Sequence, residues 1–480
     1  MDSRSTVGGA GASEAYQAAV ETALGPDAAT LAGSSFIAQI CADLRDDERT
    51  LLSPSDLAAA AADLWSLAAQ RTDNGPKVRL ADLGLGVELQ ALEIVQDDRP
   101  FLVDSVMGEV TQGGFVVRAM FHPVLDVPRN AGGRRRADEP ARRESLILVL
   151  IEPAGPERRQ ALAEGVASTL AEVAQAVDDF DAMRALMSST ADELERTAPA
   201  DLRGELGEDL AFLRWLTADR FVFLGARVYE YPRTQNGDYA AEEPRFDPEA
   251  GLGVLRDRSR SVLRRESEPA VLSKASRRDL GDAPLVVAKS NLRSRVHRRG
   301  YMDYIGVKRY GADGRPSGEV RFIGLFTAQA YEEPASQVPL IRRKLEQVLA
   351  QARLGAGSHN EKRLKNILAT YPRDELFQMS TEDLLRISLG IVHLYDRPRV
   401  RLFCRRDPFD RFVSILLFLP RDRYDSGVEK KAGAILARAW GGRVSAAYPS
   451  FPDQPLARVH YILGVNPGDH PEPDLAQLEA

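Results

Sequence analysis

The stretch KSNLRSRVHRRGYMDYIGVKRY sets Lys289, Arg293, Arg295, His297, Arg298 and Arg299 beside Tyr301 and Tyr304. Guanidinium forks match the paired oxygens of carboxylates and phosphates, so such a cluster can serve an anionic effector or, with its aromatic rings, an RNA strand. It can equally be a charged strand face that meets acidic surface at a domain or subunit contact. The surroundings favour that last use, since no RNA-binding motif accompanies the cluster. Between Arg256 and Arg309, 15 Lys or Arg stand against 6 Asp or Glu, a local +9 in a chain whose net charge is −7. The rest of the chain therefore carries −16, which offers no general attraction for nucleic acid or anionic lipid.

Other chemistry is sparse. A dinucleotide site needs G-x-G-x-x-G between a strand and a helix, so that the backbone can approach a pyrophosphate. Gly84-Leu85-Gly86 and Gly251-Leu252-Gly253 are the nearest fragments; neither has the third Gly, and both read as turns. No Walker A loop, H-E-x-x-H pair or G-x-S-x-G elbow occurs. The six histidines, at 122, 297, 359, 393, 460 and 470, show no pairing that predicts a shared metal. His122 and His460 read as ordinary side chains in strands, and Cys404 as a buried, inert thiol. Two cysteines far apart in sequence, Cys41 and Cys404, support neither a disulfide framework nor a cysteine-ligated metal, and a reducing cytoplasm is expected.

Around these residues stands a soluble globular composition, 44% hydrophobic and 28% charged. At about 150 residues per domain, 480 residues predict about three domains. The first 25 residues lack the basic and apolar regions of an export signal, and runs such as FVSILLFL are too short to cross a bilayer. Helical spacing in SSFIAQICADL and LAAAAADLWSLAAQ, with Ser53-Pro54-Ser55-Asp56 as a helix start, predicts a small helical region, closed by a linker at Thr72-Asp73-Asn74-Gly75-Pro76. From Leu89 the period alternates between 2 and 3.6, giving β-α-β-β-α, with helices on one face of an antiparallel sheet. RNAGGRRRADEPARRE reads as a solvated, mobile loop, and the helical stretch from Pro156 to Leu194 breaks near Phe180. A strand-rich segment follows, with Asp313-Gly314 in a hairpin turn. Further helices lead to a second β-β-α-β-β unit and a linker-like Pro- and acid-rich tail.

Two segments carry a resemblance. Asp98-Arg99-Pro100-Phe101-Leu102-Val103-Asp104-Ser105, between a strand and a helix, resembles the first strand–helix turn of ACT domains, regulatory modules that often sense amino acids. Phe101 stands where that turn usually has Gly. KSNLRSRVHRRGYMDYIGVKRY, EVRFIGLFTAQAY, VPLIRRKLEQVL, YPRDELFQ and RLFCRRDPFDRFVSILLFLPRDRYDS, with RPFLVDSVMGEV, are similar in order to the amino-terminal half of the large bacterial NAD-specific glutamate dehydrogenases. These matches run from about Leu89 to Leu463.

The resemblance implies an α+β, multidomain chain of antiparallel ACT-like modules, a β-rich PAS-like domain and helical connectors. The expected divisions are a helical region at 1–80, an ACT-like domain at 81–195, a connector at 196–218, the PAS-like domain at 219–335, a helical segment at 336–398, a second ACT-like domain at 399–466 and a tail at 467–480. It implies a noncatalytic regulatory and assembly region, with no catalytic, cofactor or metal residue in this sequence and NAD used by the parent enzyme. The expected partners are a catalytic carboxyl-terminal region of the same polypeptide, further copies of the chain and an amino-acid effector, without membrane or nucleic acid. Asp98, Arg99, Pro100 and Asp104 are the candidate effector turn. The rival reading is a stand-alone ACT-like sensor of an amino acid or small anion.

Overall fold

Ser53 accepts a hydrogen bond from the Asp56 backbone N–H (3.1 Å), and the Asp56 carboxylate reaches back to the Ser53 N–H (3.2 Å). This reciprocal cap, with Pro54 in the first turn, starts the helix Pro54–Leu67 where the sequence predicts it. In the computed structural model the described residues are 7–24, 35–42, 44–72, 75–82, 84, 88–204, 206–235, 244–260, 262, 283–407, 411–452, 455–466 and 471–480. Asp73 and Asn74 of the expected linker, Leu85 and Gly86 of the first Gly-rich fragment, and His470 lie outside them. The chain divides into two compact units, Met1–Phe180 with Arg293–Gly300, and Asp181–Leu292 with Tyr301–Ala480.

The first unit opens with α1 (Val7–Leu24), α2 (Phe36–Ala42), α3 (Asp46–Leu51) and α4 (Pro54–Leu67). Strands β1 (Lys77–Asp82), β2 (Gln90–Asp97), β3 (Val117–Phe121), β4 (Val124–Pro128) and β5 (Ala141–Ile151) form one antiparallel sheet in the order β1-β2-β5-β3, with β4 also on β5. Helices α5 (Leu102–Gln112) and α6 (Pro156–Asp178) complete it. Ala91, Val95, Leu146 and Leu148 share a core with Phe36, Ile40, Leu57 and Leu64 of the opening helices. The alternate residues Leu92, Ile94, Ile147 and Val149 are equally buried, on the opposite face.

The sheet is therefore covered on both faces, a correction to the expected helices on one face alone. The unbroken apolar run SLILVLI already carries that signal, since a strand with one wet face alternates. Strand β1, unread in the sequence because VRLAD is short and follows turn residues, supplies the edge beside β2. The expected mobile loop is also corrected. Its first residue, Arg129, is buried and donates to Glu144 (2.6 and 2.7 Å) and to the Gly133 carbonyl (2.8 Å). Its last residues, Ala141 to Glu144, belong to β5.

The second unit contains α7 (Phe180–Thr197) and α8 (Leu206–Trp215). Its first sheet, ordered β7-β6-β10-β9-β8, comprises β6 (Phe221–Glu230), β7 (Leu252–Gly253), β8 (Leu285–Ser294), β9 (Gly300–Tyr310) and β10 (Pro316–Phe326). Gly314, at φ +73°, makes the β9–β10 turn. Gly253, at φ +58°, runs so close to β6 that a Cβ would lie 2.1 Å from the Leu224 carbonyl oxygen, which accounts for the second Gly-rich fragment. Helices α9 (Ala328–Glu332), α10 (Ile341–Gln351), α11 (His359–Ala369), α12 (Arg373–Gln378) and α13 (Thr381–Asp396) follow.

A four-stranded antiparallel sheet, β11-β12-β14-β13, is built from β11 (Arg401–Arg406), β12 (Phe412–Pro420), β13 (Arg443–Ser450) and β14 (Leu456–Gly464). One face packs Val413, Ile415, Val459 and Tyr461 against Leu436 and Trp440 of helix α14 (Ser426–Ala439) and its end. The expected linker-like tail ends in helix α15 (Leu475–Glu479), whose Leu475 and Leu478 join this core. Glu479 binds Arg401 (2.7 Å) and the Leu402 N–H (2.9 Å). One five-residue helix is too short to give a periodic pattern in the sequence.

Candidate functional site

Strand β2 ends at Asp97 and the turn Asp98-Arg99-Pro100-Phe101 feeds α5. Asp98 closes this turn onto β5: its backbone N–H donates to the Arg143 carbonyl (3.0 Å), and its carboxylate accepts from Ser145 Oγ (2.6 Å) and Arg143 (3.3 Å). His122 Nε2 lies 3.0 Å from the same Ser145 hydroxyl. Arg99 pairs with Asp178 at the end of α6 (3.2 Å). Pro100 is exposed, and Phe101 takes the left-handed conformation, φ +70°. That conformation is what the usual Gly provides at no steric cost, so Phe101 keeps the shape of an ACT-like turn while placing a ring in it.

The ring is met by the chain's own segment Arg293–Gly300. His297, also at positive φ (+64°), lies with its ring centroid 4.9 Å from that of Phe101. Ser105 Oγ donates to the Phe101 carbonyl (2.6 Å) and accepts the His297 backbone N–H (2.9 Å). The His297 imidazole reaches Asp104 at 3.0 Å. One turn further along α5, Glu109 accepts from Arg299, from Arg295 (3.3 Å) and from Thr169 (2.8 Å). Burial works to raise the Glu109 pKa, but these hydrogen bonds and the two guanidinium charges outweigh it and leave it below the usual value. Arg295 also spans to Ser168 Oγ (2.8 Å) and the Gly165 carbonyl (3.0 Å) on α6. Gly108 makes room, since a Cβ there would sit 3.0 Å from Arg299 Nε.

The two groups of residues singled out in the sequence thus converge in part. Asp104 meets His297, and Arg295 and Arg299 meet Glu109, a carboxylate that sequence reasoning missed although it lies at helical spacing from Ser105. Arg293 and Arg298 are exposed. Lys289 belongs to the other unit, where it pairs with Asp303 (2.5 Å) and Asp374 (3.1 Å); burial opposes its charge, but the two carboxylates hold its pKa above the usual value. Burial pushes the Cys41 thiol up to about 11 and the Cys404 thiol to about 12, which keeps both out of the reactive thiolate form at neutral pH. Among the described residues no three His, Cys, Asp or Glu side chains are grouped so as to hold a metal ion, and no helix is long and apolar enough to cross a membrane.

Antiparallel sheets layered with helices, and a strand–helix turn braced by a second segment, define an α+β protein of ACT-type modules. The sequence profile of the glutamate dehydrogenase ACT1 domain matches residues 36–166, that of helical motif 1 matches 338–397, and that of the ACT2 domain matches 401–480. The NAD-specific glutamate dehydrogenase of Halomonas elongata is 34% identical over 456 residues, 88% of this chain and 27% of the relative. That of Pseudomonas aeruginosa is 30% identical over 446 residues, 90% of this chain and 27% of the relative. That of Mycobacterium tuberculosis is 30% identical over 385 residues, 78% and 22%. The chain belongs to this glutamate dehydrogenase family and spans about a quarter of the length of the curated relatives it matches.

Proposed function

We propose that the chain is the noncatalytic, amino-terminal regulatory and assembly region of an NAD-dependent glutamate dehydrogenase. The whole protein would convert L-glutamate, NAD and water to 2-oxoglutarate, ammonia and NADH, with the nicotinamide and substrate held by a catalytic region of the same polypeptide. The observation that carries this reading is the seating of Arg293–Gly300 on the ACT1 turn. His297 lies against Phe101 and bonds Asp104 and Ser105, where an ACT sensor would need open space for a free amino acid. A turn filled by the chain's own histidine suits a mechanical joint better than a stand-alone sensor. The ACT1, helical motif 1 and ACT2 matches support the same role, as do relatives described as NAD-specific. A β-rich, PAS-like stretch at 219–335 and self-association of copies through sheet edges are part of the proposal.

The test is glutamate-dependent NADH formation, followed by absorbance, with the 480-residue chain and with a polypeptide of the relatives' full length. The full-length protein is expected to turn over and the chain alone to give none. Turnover by the chain alone overturns the noncatalytic reading.

A further inference from the structure

The sheet β11-β12-β14-β13 has a second face, turned away from α14, on which Phe403 packs against Gly390 of α13 and Arg405 binds Glu375 of α12 through two hydrogen bonds (2.7 and 2.9 Å). Arg458 of β14 lies on this face, because its neighbours Ala457 and Val459 point into the α14 core. Its Nε donates to Ser450 Oγ on the adjacent strand β13 (3.0 Å), which fixes the plane of the guanidinium. The two terminal nitrogens of the fork have no partner among the described residues. The nearby guanidiniums are each matched: Arg405 to Glu375, Arg386 to Asp383 (2.6 Å) and Arg363 to Asp396. Arg458 has no carboxylate partner among the described residues. Burial lowers its pKa, and no carboxylate is among the groups that oppose the shift.

Two phenols within electrostatic reach of this arginine, Tyr371 and Tyr395, likewise have no hydrogen-bond acceptor among the described residues. Tyr371 is only 5% exposed. A half-buried guanidinium without a counter-ion, set beside two phenols without acceptors, marks a position where an oxyanion can complete the set.

We propose that Arg458, Tyr371 and Tyr395 form a binding site for a small oxyanion, a carboxylate or a phosphate, on the face of the second ACT sheet that carries helices α12 and α13. The guanidinium fork takes two oxygens of the anion and the phenols donate to the same group, as charge-assisted pairing requires. This site is separate from the ACT1 turn and does not depend on its role.

Calorimetric titration of the 480-residue chain with sodium phosphate, L-glutamate and 2-oxoglutarate, at constant ionic strength, tests it. Saturable heat is expected with at least one of the three, and the arm that responds says whether phosphate or carboxylate is the source. Arg458→Gln should weaken that binding at least tenfold and Tyr395→Phe several-fold, while Asp98→Ala, in the other unit, should leave it unchanged. No saturable heat with any of the three overturns the proposal, as does wild-type affinity in Arg458→Gln. Should Arg458→Gln fail to fold, wild-type affinity in Tyr395→Phe overturns it instead.

Discussion

Replacing Glu109 by Gln tests whether the basic segment is held by charge or merely by shape. The amide keeps the volume and one acceptor oxygen but removes the charge that Arg295 and Arg299 share. Side-chain exposure is 17% for Glu109, 30% for Arg295 and 26% for Arg299, so the group lies between a surface pair, at about 0–1 kcal/mol, and a buried pair whose rupture costs about 3–5 kcal/mol. We expect a loss of about 2 kcal/mol, or about 30-fold in the local opening equilibrium. Asp104→Asn is the internal control, because Asp104 is 59% exposed and its pairing with His297 should count for less than about 0.5 kcal/mol. Native-state hydrogen exchange reads both variants: Glu109→Gln should strip protection from the His297 amide, which is donated to Ser105 Oγ, well before the amides of β2 and β5 respond. Unchanged protection of residues 293–300 in Glu109→Gln, or equal losses in the two variants, would refute the electrostatic account and leave packing of Phe101 on His297 as the fastening.

Two further outcomes follow from buried charge. Glu93 on β2 is fully buried, and burial raises its pKa to about 7 even though Arg79 pairs with it at 2.6 Å; folded Glu93 thus binds protons more tightly than in the unfolded chain. Its stabilising contribution is complete below the unfolded value of 4.5 and is lost as pH rises through about 7. That amounts to about 3 kcal/mol, so urea unfolding of the first unit at pH 5 and pH 8 should show the loss in wild type and not in Glu93→Gln, and parallel behaviour would contradict it. The Arg405–Glu375 pair is buried on both sides. Arg405→Met should cost about 3–5 kcal/mol by stranding the carboxylate, and the double variant Arg405→Met with Glu375→Leu should recover most of it; a double variant as unstable as the single would show that the loss is not electrostatic.

Much of the fold was legible in the sequence because local signals agreed with tertiary ones. The Ser53 cap, the Gly113-Gly114 stop of α5 and the Asp313-Gly314 turn each satisfy a backbone requirement within a few residues, and the structure uses all three. Features that depend on distant partners were hidden. Whether SLILVLI had one wet face or none depended on helices 80 or more residues upstream, and Arg129 looked solvated because Glu144, its counter-ion, lies on a neighbouring strand. β1 and α15 are short enough that their apolar residues make no period; pairing with β2 selects the first and packing on the second ACT core selects the other.

The site divides along the same line. The residue types of the basic stretch announced charge pairing, and alternation in the strand separates Arg293, Arg295 and Arg299 from Ser294 and Val296, which are buried. What alternation cannot supply is the partner: Glu109 is one of 70 acidic residues, and nothing local distinguishes it. The same holds for Arg458. In the sequence it is one Arg in an apolar strand, ordinarily a residue paired across the sheet. Its importance comes from having no carboxylate partner among the described residues, a property of the assembled helices and strands. In the arginine-rich stretch Arg295 and Arg299 meet Glu109 and Lys289 meets Asp303 and Asp374, while Arg458 has no carboxylate partner among the described residues. Anion binding by this chain should therefore track Arg458 rather than the stretch from Lys289 to Arg299, and a charge-reversal scan of both, read by phosphate and 2-oxoglutarate affinity, separates the two outright.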